Sequence, residues 1–257
     1  MYRDKRFSAK AWEQVEADLQ EAALLGPRFR KVFLCDGDAL ILSTSRLLQI
    51  LRGIRAHLPW VSRVGVYGDT RSVGRKSVAE LTELREAGLG IVYHGMETGC
   101  DEVMERIEKG GTRSECLETA RKLREAGILH SVMVLLGIGG NDRSEQHALE
   151  TARVLTEMDP PFVGALTTTV VPGTPLHTQQ EAGIFSLPSK FEMLQELRTI
   201  VAESRFSACR FSSNHASNYL PLRGTLPADR EKMVAVLDAI LERGDERDLK
   251  PEHFRGL

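Results

Sequence analysis

Along this chain, short apolar runs without polar alternation end in glycine or an acid and give way at once to a helix. Strands that read this way belong to parallel sheets, whose faces are covered by the helices that connect them. The clearest case is the stretch 89–100, Leu-Gly-Ile-Val-Tyr-His-Gly-Met-Glu-Thr-Gly-Cys. Ile91, Val92 and Tyr93 make the strand, the Gly95-Met96-Glu97-Thr98-Gly99 segment breaks it, and a helical run 101–107 follows. Glu97 thus stands between two glycines at the carboxyl end of a strand, where α/β folds place ligands. The glycines permit positive φ and close backbone approach, and the helix turns its positive end to the same spot.

The rest of the chain repeats the theme. Ser8 is the expected cap of a first helix whose Trp12, Val15, Leu19 and Ala22 or Ala23 share a face, stopped by Gly26-Pro27. A strand over 31–35 runs into Asp36-Gly37-Asp38, and residues 43–45 open a helix bearing Leu47, Leu51, Ile54 and Leu58. Strand 63–67 is closed by Gly68-Asp69. Ser77 with Glu80, Thr112 with Glu115, and Ser189 with Glu192 have capping-box spacing. Strand 131–136 leads into Gly137-Ile138-Gly139-Gly140 and a helix over 143–158. Segment 162–171 holds a strand and then Pro172-Gly173-Thr174-Pro175-Leu176. A weaker strand, 208–212, precedes Asn214-His215-Ala216-Ser217-Asn218 and a helix over 228–243. The pattern predicts an α/β fold, a partial (β/α)6 TIM-like barrel in one domain, with 1–204 as barrel core and 205–257 as C-terminal extension. A helix comes first, and the strand expected before it is absent, so one sheet edge should be open.

A chain of 257 residues buries roughly 70–75% of its unfolded surface and needs neither disulfide nor metal to be stable. Lys plus Arg (34) nearly balance Asp plus Glu (36), which gives no support to nucleic-acid or membrane-surface binding by bulk charge. No apolar run approaches spanning length and no leader is visible, so a cytoplasmic protein is expected. Cys35, Cys100, Cys116 and Cys209 have no ligand spacing, which argues against zinc or iron–sulfur binding by this chain. Cys116 shares a helical face with Ala120 and Leu123, and Cys35 ends an apolar strand; both read as reduced, buried thiols.

In a parallel β/α fold the loops after the strands share one rim. That rim collects Asp36, Asp38, Tyr67, Asp69, Glu97, the 137–140 glycines and the 172–176 loop. Turn formation explains Gly68 and Asp69 well. Asp36 and Asp38 repel each other unless a cation or donors meet them, so site and turn are evenly matched there. Glu97 suits an ammonium partner, and the glycine turn could offer backbone N–H groups to a flat or anionic ligand, although it lacks the dinucleotide spacing. His147, with Thr151, Val154 and Met158, is as consistent with a hydrogen-bonded core histidine as with a site. Asn214, His215 and Asn218 are either turn formers or substrate-facing groups.

At these residues a family resemblance emerges. Gly95-Met96-Glu97-Thr98-Gly99 resembles the "GlESG" segment of radical S-adenosylmethionine (radical SAM) enzymes, and Lys109-Gly110 continues it. Val134-Leu135-Leu136-Gly137-Ile138-Gly139-Gly140 is similar to their fifth-strand glycine motif, and Pro172-Gly173-Thr174-Pro175-Leu176 to their sixth-strand "PGTPL". Order and spacing together resemble the Elp3- and coproporphyrinogen-oxidase-like core, over nearly the whole chain and most specifically over 31–176. The resemblance implies that Glu97 binds the amino group of SAM, with Gly95, Thr98 and Gly99 beside it. It also implies that Gly137, Ile138 and Gly139 flank the adenine while Val170, Gly173 and Thr174 close around it. Asp36, Asp38, Tyr67, His147, Asn214, His215 and Asn218 are the substrate candidates, and no catalytic residue is assigned.

The same resemblance implies the chemistry of an oxidoreductase or a transferase-like radical enzyme. A [4Fe–4S] cluster, reduced by a flavodoxin or ferredoxin, passes an electron to SAM, and the resulting 5′-deoxyadenosyl radical takes hydrogen from a small-molecule or peptide substrate. The chain departs from the family in lacking the Cys-x-x-x-Cys-x-x-Cys motif that holds the cluster. That motif sits between first strand and first helix, so the chain is expected to be N-terminally truncated just after it and incompetent alone, its cluster cysteines lying upstream of Met1. Two other readings stand beside this one: a non-catalytic SAM- or ligand-binding relative, and an aldolase-like barrel. The second needs a lysine at a strand end, and no strand here ends in one.

Overall fold

The computed structural model describes residues 8–256. The order is α1 (Trp12–Ala23), β1 (Lys31–Leu34), α2 (Thr44–His57), β2 (Arg63–Gly68), α3 (Thr70–Gly74), α4 (Val78–Ala87), β3 (Leu89–Glu97), α5 (Asp101–Arg106) and α6 (Arg113–Glu125). It continues with β4 (Leu129–Leu136), α7 (Ser144–Met158), β5 (Phe162–Thr167), α8 (Pro175–Glu181), α9 (Lys190–Glu203), β6 (Cys209–Ser212), β7 (Arg223–Leu226) and α10 (Arg230–Arg243). Strand order follows chain order from β1 to β7, the open β/α arrangement that the apolar runs predict. The described residues form two compact units, one of 8–94 with 118–130 and one of 95–117 with 131–256.

In the first unit β1 pairs with β2, and β2 with β3, both parallel. Val64, Val66 and Val92 turn into a core with Leu47, Leu51 and Ile54 of α2 and Leu81 and Leu84 of α4. The helical spacing of those leucines puts them on one stripe, and burying that stripe is what holds the helices to the sheet. Gly53 lets α1 close on α2: a β-carbon there would stand 2.7 Å from the Trp12 ring. The first helix is not capped by Ser8. It starts four residues later, where the Gln14 carboxamide accepts from the Ala11 N–H at 3.2 Å. Cys35 is exposed rather than buried, because β1 ends at Leu34 and the chain turns outward through Asp36 at φ 72°.

In the second unit β4 pairs with β5 and β5 with β6 in parallel, while β6 and β7 run antiparallel. Val132, Val134, Val163, Ala165 and Phe211 are buried from the strands, and Ala148, Ala152 and Leu155 from α7. Helix α9 packs on both α7 and α10. The capping boxes at Ser77 and Ser189 form as the sequence predicts, each serine accepting from the N–H three residues on and each glutamate accepting in return. Three short elements go unpredicted by the sequence: α3, α8 and β7.

Candidate functional site

The 95–99 segment does not break the strand at Gly95, since β3 runs on to Glu97 and turns only after it; the turn is built around a strained backbone. Glu97 lies at φ 69°, a left-handed conformation uncommon for a residue with a side chain, and such strain gathers where structure serves function. Its carboxylate Oε1 accepts from Lys109 Nζ at 2.8 Å. Gly95 makes room for that pair, since a β-carbon there would fall 2.6 Å from Oε1 and 3.3 Å from Nζ. The turn is fastened to α7 on its other side. Thr98 Oγ1 is 2.8 Å from His147 Nδ1, and Thr151 Oγ1 accepts from the Gly99 N–H at 2.9 Å. A β-carbon on Gly99 would come within 2.7 Å of the Glu150 carbonyl oxygen and the Thr151 Cα, so only glycine allows this approach.

The 137–140 turn is held from two directions. Arg106 of α5 donates to the Gly139 carbonyl at 3.0 Å and clamps Asp142 with both guanidinium nitrogens. That clamp holds the Asp142 carboxyl below its usual range. From α9, Glu196 Oε2 accepts from the Gly137 N–H at 2.6 Å, and Oε1 accepts from Ser144 Oγ at 2.6 Å. Glu196 is only 2% exposed, and burial pushes its carboxyl up to about 7. His147 is fully buried, its Nε2 has no hydrogen-bond partner and lies 3.8 Å from Glu196 Oε2. Burial brings that imidazole down to about 4, although the Leu135 carbonyl favours its proton. His147 is therefore neutral near pH 7, where Glu196 is about half ionised, and their 3.8 Å approach is not an ion pair. Gly137 and Gly140 take φ 81° and 70°, as the glycine-rich turn requires.

Beyond β5, Thr174 caps α8, its Oγ1 accepting from the His177 N–H at 3.3 Å and donating to the Val171 carbonyl at 2.6 Å. Gly173 turns the chain there at φ 78°, and Val170 is partly buried. The polar groups of the 214–218 segment are taken up mostly by hydrogen bonds to neighbouring parts of the chain. Asn218 receives the Thr167 hydroxyl at 2.8 Å and donates to the Ala165 carbonyl at 2.8 Å, so its amide pins the end of β5. His215 Nδ1 meets Ser217 Oγ at 2.9 Å, and the Asn214 amide faces Ser212 and Arg223.

In the first unit, Asp38 Oδ2 accepts from the Asp69 N–H at 3.0 Å, and burial raises its carboxyl. Asp69 caps α3, its Oδ1 accepting from the Ser72 N–H at 2.7 Å. Asp36 faces a cavity of about 390 Å³ lined by α1, β1 and α2, whose apolar wall includes Val32, Leu34 and Ile50. Tyr67, 45% exposed, packs edge-on against Phe33 and Tyr93.

The structure thus gathers Glu97, Thr98, Gly99, His147 and the 137–140 turn around the start of α7. Lys109, Arg106 and Glu196 belong to the same constellation, and sequence reasoning assigned none of them. Glu196 carried a signal: it sits three residues after Met193 and four before Ile200, an acid on the apolar face of its helix. The cysteines form no cluster. Cys100, Cys116 and Cys209 are separately buried, with burial pushing the Cys100 thiol up to about 11 and that of Cys209 up to about 12. Among the described residues no group of three His, Cys, Asp or Glu could hold a metal ion.

The sequence pattern of the radical SAM superfamily matches residues 2–153, more than half of the chain. No curated protein matches it. Among solved structures, a methylornithine synthase is similar at 19% identity and TM-score 0.56, over 80% of this chain and 58% of that one. An N-terminally deleted Elp3 of the archaeal Methanocaldococcus infernus is similar at 12% identity and TM-score 0.58, over 91% and 59%. Coproporphyrinogen III oxidase from Escherichia coli, a radical SAM enzyme, is similar at 15% identity and TM-score 0.56, over 74% and 45%. At these identities the likeness is one of fold, a partial α/β barrel, and the chain spans less than two thirds of each of these proteins.

Proposed function

This chain belongs to the radical SAM superfamily, and from that premise we propose that its second unit binds S-adenosylmethionine. Glu97 takes the amino group, and the 137–140 turn takes the adenosyl end, with Val170, Gly173 and Thr174 beside it. When bound, SAM supplies a sulfonium whose C5′–S bond a single electron can cleave. The chain's own residues do the holding. Thr98 and Gly99 keep the Glu97 turn seated on α7, Arg106 fixes the Gly139 carbonyl, and Glu196 fixes the Gly137 amide. The four scattered cysteines do not fit a [4Fe–4S] cluster, so the role assigned to these residues is binding and orientation of SAM.

One observation carries the proposal. Glu97, at positive φ beneath Gly95, already holds an ammonium, that of Lys109, at 2.8 Å. A carboxylate kept ready for one ammonium is suited to another, and a charge-assisted bond of this kind contributes about 1.5–3 kcal/mol. Isothermal titration of the chain with SAM should therefore show binding that Glu97→Ala weakens about tenfold or more. Equal affinity in the variant and the parent would refute the assignment.

A further inference from the structure

We propose that Glu196 is the positioning residue of the glycine turn: its ionised carboxylate fixes the Gly137 amide and the first turn of α7 together, and so sets the affinity of the ligand that the turn receives. This rests on the SAM reading of the site and adds a pH dependence to it. Three observations support it. The carboxylate bridges two elements, with the Gly137 N–H on one oxygen and the Ser144 hydroxyl on the other, both at 2.6 Å. The same helix closes on the turn a second time through Met193, whose sulfur would stand 2.7 Å from a β-carbon on Gly137. A buried nitrogen without a partner, His147 Nε2, lies 3.8 Å from the oxygen that holds Gly137.

Ionisation of Glu196 gives the lock two states. While Glu196 is ionised, Oε2 accepts the Gly137 N–H through a charge-assisted bond, the stronger kind. When Glu196 takes a proton from solvent, it becomes a neutral carboxyl beside a neutral imidazole, and the Gly137 N–H loses its charged acceptor. The hold on the turn then weakens to that of a neutral carboxyl. Burial places this exchange near pH 7. The groups that face Glu196 are His147 and Ser144 from α7, Gly137 after β4, and Glu192 on its own helix, whose charge further disfavours ionisation. From α10, Asp238 is engaged with Arg198 at 2.8 Å.

The test uses two probes, SAM and 5′-methylthioadenosine, which has the adenosyl group but no ammonium of its own to titrate. If only the ionised form holds the turn, affinity for both should rise roughly tenfold from pH 6 to pH 8. Glu196→Gln, nearly isosteric and unable to ionise, should bind both without that slope. Glu97→Ala should weaken SAM alone and keep the slope. The ¹H–¹⁵N resonance of Gly137 should titrate near neutral pH in the parent and not in Glu196→Gln. A variant that keeps the parent's slope, or a Gly137 amide that does not titrate, overturns the inference. Failure of the parent to bind either probe overturns the SAM reading instead, and the Gly137 resonance then decides the lock by itself.

Discussion

At the scale of single residues, the buried pair on α7 and α9 makes the chain's stability depend on pH in two opposite ways. Glu196 has a folded-state pKa raised to about 7, above the ordinary 4.5, so the folded state keeps a proton that the unfolded state releases. Its contribution is full below about pH 4.5 and is lost as pH rises through 7. His147 is depressed to about 4 from 6.5, so its contribution is full above 6.5 and is lost as pH falls through 4. Each amounts to something on the order of 3 kcal/mol over its window, and between pH 4.5 and 6.5 they largely offset. Removing either one should tilt the curve. In denaturant titrations, Glu196→Gln should gain stability with rising pH across that range, and His147→Gln should lose it. Parallel curves for both variants would contradict these assignments. Neither role was visible in sequence. His147 could be placed on its helix but not beside Glu196, since the two are brought together only by the packing of α9 on α7.

At the scale of elements, what was legible followed from local signals. The Ser77–Glu80 and Ser189–Glu192 boxes form because cap and acceptor are three residues apart, and no tertiary contact is needed to satisfy them. Helix α8 had a readable start in Thr174 followed by Pro175 at the first helical position, yet the loop-like Pro-Gly-Thr-Pro run hides it. Strand β7 had no readable signal: Arg223, Gly224 and Thr225 are not an apolar run, and the strand exists because β6 supplies an antiparallel edge. The glycines at the site divide by what they approach. Gly99 faces backbone of α7 at 2.7 Å, which cannot yield, so Gly99→Ala should destabilise the fold by about 2 kcal/mol. Gly95 faces the far end of the Glu97 side chain, which can swing away. Gly95→Ala should cost less than about 1 kcal/mol of stability but displace the carboxylate and weaken SAM binding. Thermal melts and calorimetric titration of the two variants separate the effects; the reverse ranking would contradict this account of the turn.

For the whole molecule, the apolar unalternated strands and short connections were enough to predict an α/β fold of the partial-barrel type, and the superfamily match agrees. No helix among the described residues is long and apolar enough to cross a membrane. The rim residues proved harder to read, because β1 to β4 each end on or close to an acid or a glycine and sequence alone cannot rank them. Asp38 and Asp69 are joined to each other in the first unit, and Asn218 is consumed by β5. Glu97 keeps a strained backbone and an ammonium partner. The central claim is that the second unit receives SAM through the 95–99 and 137–140 turns. Mapping backbone amide shifts on titration with SAM tests it most directly. The account predicts that the largest changes fall at Gly95 to Gly99 and Gly137 to Gly140, followed by Val170 to Thr174. Changes confined to Val32 to Asp36, around the first-unit cavity, or no changes at saturating SAM, would contradict it.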